Sequence, residues 1–371
     1  MKNRMKKLNF LVFCFTLLVW TGCTVENENG AITYYLEEIP APSLENNLVG
    51  TENVQQIGVY LPPSYNHSDQ SYPVVYFLNG YTVEAGEYPK TEAYEAYMKD
   101  NNDQEFILIE LNGYNLFEGS MYANSEVSGN WEDYVVKDVV AYVDSNYRTL
   151  KKRESRGIAG HSMGGGGTIN ISLKHPDVFS VAYAMSPALF ADKQLVSGVM
   201  TNDTLMNQVL TLSEKMANVD DEQFAETLKR ELEAYEKSLT GIYGFMAFST
   251  AFAPDPSQPL KIALPFERDE KGNFRKIEKN YNRLIAGFGN LEEKVGKYKD
   301  NLLKYNKYAL DCGLYDEMPG LFTSAVYFSQ LLTQAEIPHS TYWYNSNHSD
   351  KVNEQLVNEV FPTMSTYLLR E

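Results

Sequence analysis

The run Gly160-His161-Ser162-Met163-Gly164-Gly165 constrains this chain more than any other feature. It lies between a short apolar segment, Arg156-Gly157-Ile158-Ala159, and a helix-like one, Thr168-Ile169-Asn170-Ile171-Ser172-Leu173. G-x-S-x-G between a strand and a helix fits a sharp turn that presents a serine hydroxyl at the edge of a sheet. Such a turn brings backbone and side chains together, and residues without a Cβ avoid the clash. Alone the motif is a weak signal, because Gly-Ser loops are common, and a structural Gly-rich turn is the competing reading. The flanking strand and helix give it weight.

The surrounding chain predicts an α/β fold with a mostly parallel central sheet and helices on both faces. Strand-like runs cover Ile32 to Leu36, Gln56 to Leu61, Tyr72 to Leu78, Glu105 to Leu111, Val181 to Met185, Asn306 to Cys312 and Ser340 to Tyr344. Helical spacing covers Trp131 to Tyr147, Leu321 to Glu336 and Glu354 to Leu369. Between Pro187 and Lys307 the alternation breaks down. Leu205 to Met216 and Glu222 to Ser238 read there as charge-rich helices, Asn280 to Lys304 as another Lys- and Glu-laced stretch, and Ala253 to Pro259 as an extended loop. The expected division is a core over 32–190, a helical insertion over 191–305 that caps the sheet's C-terminal edge, and the rest of the core over 306–371.

The first residues read as a targeting segment. Lys2, Arg4, Lys6 and Lys7 precede an apolar run from Leu8 to Trp20, which is short for a bilayer span. Val19-Trp20-Thr21-Gly22-Cys23 follows. It resembles a bacterial lipoprotein signal over 1–22, with Cys23 lipidated and 23–31 as a polar tether. That implies a lipid-anchored location in the cell envelope, periplasmic or surface-exposed. Trp20 departs from the usual leucine, so plain secretion is the alternative.

The net charge of −17 repels nucleic acid and anionic surfaces and favours solubility. Of three cysteines only Cys312 lies beyond the signal and the candidate lipidation site, so no internal disulfide framework is expected. Cys312 sits in an apolar run and reads as a buried small hydrophobe. The 27 tyrosines are spread along the chain, which favours packing over a dedicated aromatic platform. With no HExxH, CxxC pair or EF-hand loop, neither metal nor cofactor is called for.

A serine hydroxyl needs an adjacent base to act as a nucleophile. Among the five histidines, His161 is part of the turn, His175 lies on the helix behind it, and His67 is in an early loop. His339 precedes a strand and so lies at its far end. His348 follows the strand ending at Tyr344, and chemistry in such sheets gathers at the carboxyl ends of strands, so His348 is the candidate base. The same argument selects Asp316 or Glu317 as the carboxylate that orients it, with Asp311, inside a strand, third. The order Ser162, Asp316, His348 is that of the Ser-Asp-His constellation in α/β hydrolases. The backbone N–H groups of Met163 and, after the early strand, Tyr81 are the candidate oxyanion donors.

These segments, with "GIAGHSMGG", "HPDVFSVAYAMSP", "DCGLYDE" and "NHSD", resemble the esterase D-like branch of α/β hydrolases. That branch includes S-formylglutathione hydrolases, enterochelin, feruloyl and acetylxylan esterases, and mycolyltransferases. The resemblance covers most of 50–190 and 300–370. It implies an α/β-hydrolase fold with Ser162 as nucleophile, Asp316 as acid and His348 as base. Asn79 stands where the branch often has histidine, and the span from Pro187 to Lys307 is longer than in its compact members. The expected function is a serine esterase acting on carboxylic esters, with acyl groups on polysaccharide or on small molecules as substrates. An acyltransferase or peptidase with the same triad, or a surface lipoprotein that binds without turnover, is the alternative.

Overall fold

The computed structural model describes residues 31–87, 90–191 and 202–371. The signal segment, Cys23 and nearly all of the tether lie outside those residues. Eight strands form one sheet: β1 (Thr33–Pro40), β2 (Val54–Leu61), β3 (Val74–Leu78), β4 (Ile107–Leu111), β5 (Arg156–His161), β6 (Val181–Met185), β7 (Lys307–Gly313) and β8 (Ser340–Tyr344). Their order is β1-β2-β4-β3-β5-β6-β7-β8. β2 runs antiparallel to both its neighbours, and every later pairing is parallel.

Central strands covered on both faces need apolar side chains on both, so they read as unbroken apolar runs. β3, β4 and β6 are buried at every position. β8, at the edge, leaves Tyr342 exposed. One face of the sheet packs on α1 (Thr91–Asp100) and on the C-terminal helix α10, which runs on through Val352–Gln355, Leu356–Val360 and Phe361–Tyr367. Tyr94, Phe106 and Phe361 meet edge-on or tilted in that layer. The other face carries α2 (Trp131–Asp133, Tyr134–Val139 and Val140–Asn146, with a π-turn at its centre), α3 (Met163–Lys174) and α9 (Leu321–Gln334). The tyrosines divide accordingly: Tyr60, Tyr72, Tyr76, Tyr94, Tyr122, Tyr134 and Tyr308 are all core.

The span between β6 and β7 holds α4 (Asp203–Met216), α5 (Asp221–Leu232), α6 (Ile242–Phe252), α7 (Glu278–Ile285) and α8 (Leu291–Leu302), with a short hairpin of Phe266–Arg268 and Phe274–Lys276. The span differs from the sequence reading in its local detail. The helix expected to reach Ser238 stops at Leu232. The stretch Asn280 to Lys304 is two helices, because Gly287 packs directly on the Phe252 ring and Asn290 adopts a left-handed φ of 52°. α6 was not anticipated: it is buried from Ile242 to Ala251, so it shows neither charge pattern nor amphipathic stripe.

The span also packs onto α3. Asn170 Nδ2 donates to the Gly287 carbonyl at 3.0 Å, and within the span Phe190 N–H donates to the Phe288 carbonyl at 3.0 Å. Lys294 Nζ donates to Asn170 Oδ1 at 3.0 Å and to the Gly287 carbonyl. Burial pushes the Lys294 ammonium down to about 7, with Lys174 adding to the effect. Among the described residues no helix is long and apolar enough to cross a membrane.

Candidate active site

Ser162 joins β5 to α3 with φ 57° and ψ −114°. A non-glycine residue there carries strain of order 1–3 kcal/mol and persists only where its surroundings fix it. They do so on both sides. Ser162 N–H donates to the Met185 carbonyl at 3.0 Å, and its own carbonyl accepts from Gly166 at 3.0 Å and Ala188 at 2.9 Å. Four glycines open α3, each costing about 1 kcal/mol against alanine. A Cβ on Gly164 would collide with the Leu78 carbonyl, and one on Gly160 with that of Gly164. The motif's glycines let β5, α3 and β3 approach at backbone contact.

Asn79-Gly80-Tyr81 leaves β3 beside the serine. The Cβ direction of Gly80 ends 3.6 Å from Ser162 Cβ. Tyr122 Oη donates to the Asn79 carbonyl at 3.1 Å, and Tyr81 Oη donates to the Phe117 carbonyl at 2.8 Å. Met163 is the first residue of α3, so its N–H belongs to the first turn, whose donors have no partner within the helix. Both candidate oxyanion donors thus belong to segments flanking Ser162.

Asp316 and His348 follow the adjacent parallel strands β7 and β8, paired Gly313 to Tyr344 at their carboxyl ends. His348 Nδ1 donates to Asp316 Oδ2 at 2.7 Å, and the Asp316 carboxylate is fully buried. Met318 N–H donates to Asp316 Oδ1 at 3.0 Å. With its proton on Nδ1, a neutral His348 keeps Nε2 as an acceptor. Glu317 engages the backbone instead of the ring, its Oε2 accepting the N–H of His348 at 3.0 Å. Asp311 points elsewhere, accepting from Ser186 N–H and Tyr183 Oη, both at 3.2 Å. Burial pushes the Asp311 carboxyl up to about 7. Cys312 is buried, its thiol pushed up by that burial, and its Sγ lies 3.5 Å from Asp316 Oδ2.

The remaining histidines are engaged in other ways. His175 bonds Glu132 at 2.9 Å, and His339 bonds Ser329 at 2.9 Å. His161 faces the site, donating from Nε2 to the His348 carbonyl at 2.9 Å. Burial, helped by the neighbouring His348, holds His161 down to about 3, so it stays neutral at ordinary pH. Ser162 is thus tied through its chain neighbour to the Asp316–His348 pair. Sequence reasoning places His161 in the turn and misses this bond.

A narrow cavity of about 40 Å³ opens at Ser162. Its walls are almost wholly apolar: Tyr81 and Met163 from the core, Phe190, Leu239 and Phe248 from the span after β6, and Met318 after β7. Larger surface hollows lie elsewhere; one of about 550 Å³ at residues 45–54 contains none of these groups. Among the described residues no group of three or more His, Cys, Asp or Glu is arranged to hold a metal. A strained serine, a carboxylate-held imidazole and two flanking backbone segments beside an apolar cavity suit acyl transfer.

The model of the family described as "Putative esterase" matches residues 50–237. Over 134 residues the chain is 26% identical to the esterase MT1326 of Mycobacterium tuberculosis (strain CDC 1551 / Oshkosh), covering 35% of this chain and 28% of that one. The chain therefore matches little more than a quarter of that relative's length. A solved ferulic acid esterase superposes with a TM-score of 0.57 at 18% identity, covering 92% of this chain and 100% of the other. FphF, a fluorophosphonate-binding serine hydrolase of Staphylococcus aureus with substrate bound, gives 0.53 at 18% identity, covering 92% and 100%. At these identities the structures share the fold, that of the α/β hydrolases.

Proposed function

Because this chain belongs to the "Putative esterase" family, we propose that it is a serine esterase working through Ser162, His348 and Asp316. Ser162 Oγ adds to the ester carbonyl while His348 Nε2 takes its proton. Asp316 holds the imidazole tautomer and stabilises the imidazolium. The oxyanion of the tetrahedral intermediate is met by the N–H groups of Met163 and Tyr81, each donor of this kind being worth about 3 kcal/mol. The intermediate collapses, and the alcohol departs with the proton from His348. Water, deprotonated by His348, then releases the acid from the acyl-enzyme. The observation that carries the reading is the 2.7 Å bond from His348 Nδ1 to a fully buried Asp316, with only the end of β6 between β7 and the strand that carries the strained Ser162.

The cavity favours a short acyl group. A benzene-sized ligand fills a cavity of about 150 Å³, and the space at Ser162 is about 40 Å³. An acetyl or similarly small acyl group fits it. The alcohol side is proposed to be a sugar, as in a polysaccharide ester or a small glycoside. That assignment goes with export as a lipoprotein anchored at Cys23. The 191–305 span acts in this reading as a cap, supplying Leu239 and Phe248 to the acyl side.

The decisive experiment is intact mass after exposure to a fluorophosphonate. Single stoichiometric labelling of the wild type, absent in Ser162→Ala, is expected. Equal labelling of both proteins, or of neither, would defeat the assignment of Ser162.

A further inference from the structure

The loop that carries the Tyr81 N–H leaves β3 at Asn79 and rejoins the fold at Lys90, the residue before α1. Both ends converge on one carboxylate, Glu110 of β4. Lys90 Nζ donates to Glu110 Oε1 at 2.6 Å and to Asn79 Oδ1 at 2.7 Å. Asn79 Nδ2 donates to the same Glu110 Oε1 at 2.9 Å. Tyr60 Oη donates to Glu110 Oε2 at 2.6 Å and accepts the backbone N–H of Lys90 at 2.8 Å. The side chains of Lys90 and Glu110 are 6% and 0% exposed. Gly58 makes room on β2, where a Cβ would lie 3.0 Å from Glu110 Oε2.

A buried ion pair is a weak source of stability, because an apolar pair of the same size is often as stable or more so. Its geometry, however, is directional in a way that an apolar contact is not. Here the directions converge on one loop. Asn79 donates to and accepts from the pair, and the next residue, Gly80, passes Ser162. We propose that Glu110 and Lys90 are positioning residues that clasp Asn79 and Lys90 together and so hold the Tyr81 N–H against the reacting oxygen. This inference rests on the esterase reading for its catalytic consequence but not for the existence of the clasp. Being net neutral, the pair fixes the donor without placing a net charge behind the oxyanion.

The test replaces the pair by apolar isosteres, Glu110→Leu with Lys90→Met, alongside Glu110→Gln alone. Hydrogen–deuterium exchange of the peptide covering residues 79–87 reads the clasp directly. Steady-state hydrolysis of p-nitrophenyl acetate reads its consequence. Exchange in that peptide is expected to quicken at least tenfold in the double variant while the melting temperature holds. The kcat is expected to fall by about 10²-fold, the order of losing one oxyanion donor, with KM within twofold. The inhibition constant of a trifluoromethyl ketone, which forms an oxyanion on the serine, should rise in step with the loss in kcat/KM. Should the double variant fail to fold, Glu110→Gln keeps the shape and is read the same way. Unchanged exchange would overturn the clasp, and quickened exchange with kcat within threefold of wild type would overturn its positioning role. Undiminished hydrolysis by Ser162→Ala would instead overturn the esterase reading, and with it the catalytic role, while the exchange data still decide the clasp.

Discussion

The rings of His161 and His348 lie 4.8 Å apart, and His161 Nε2 donates to the backbone carbonyl of His348 at 2.9 Å. The residue before the proposed nucleophile thus steadies the loop that carries the proposed base. Because His161 does not charge until about pH 3, it takes no part in the acid limb of a pH–activity profile. His161→Asn is expected to lower kcat about tenfold, the scale of one misplaced catalytic loop, while leaving the limb's midpoint where it is. A profile of kcat/KM from pH 4 to 8 on both proteins checks this, and a shifted midpoint would contradict it.

Asp316 and Glu317 are neighbours in sequence, yet one holds the His348 ring and the other its backbone. Asp316→Asn removes the acceptor that fixes the tautomer, and kcat is expected to fall by about 10³- to 10⁴-fold. Glu317→Gln can still accept the amide and is expected to cost about tenfold or less. Parallel kinetics on p-nitrophenyl acetate separate the two, and the reverse ranking would transfer the role to Glu317.

In the proposed reading the cavity of about 40 Å³ limits the size of the acyl group. Wild-type kcat/KM is expected to be at least tenfold higher for p-nitrophenyl acetate than for the butyrate. Phe248→Ala, which deletes a wall contributed by α6, should raise the butyrate-to-acetate ratio by about tenfold, the order that a few buried methylenes carry. An unaltered ratio would show that Phe248 does not bound the acyl side.

Asp311 gives the chain a pH-dependent stability. Its folded-state carboxyl is pushed from an ordinary 3.8 up to about 7 by burial. Between those values the folded protein keeps a proton that the unfolded chain has released. Stability from this group is therefore complete below about pH 4, falls as pH rises towards 7, and then levels. Asp311→Asn lacks the slope. Urea unfolding at pH 4.5, 6 and 8 should show wild type losing roughly 3 kcal/mol relative to the variant across that range. A flat difference would mean that Asp311 is ionised throughout.

Much of this architecture is legible in the sequence because central strands must be apolar on both faces. Val181 to Met185 coincides with β6, which is buried at every position. The approach of Asp316 to His348 is legible for a related reason: each follows a strand, and adjacent parallel strands place their carboxyl ends together. What escaped depends on contacts distant in sequence. The break at Gly287 reflects the Phe252 ring, which a Lys- and Glu-rich helical pattern does not reveal. Glu110 is a lone acid in the apolar run Ile107 to Leu111, and that anomaly was the available signal. Its partners follow from the pairing of β4 with both neighbours: β3 sets Phe77 beside Glu110 and brings Asn79 within reach, and β2 brings Tyr60.

Asn170 has a consequence for the history of this fold. It is a buried polar residue on α3, and its side-chain amide directs both ends to the span after β6, at Gly287 and Lys294. While the span covers it, losing either partner would leave a buried amide end unpaired at a cost of about 1–3 kcal/mol. The two positions should therefore covary: lineages that keep the span are expected to retain the Asn–Lys pair or to exchange both residues together. Positions 170 and 294 together become a tag by which the presence of this span can be followed through homologous sequences.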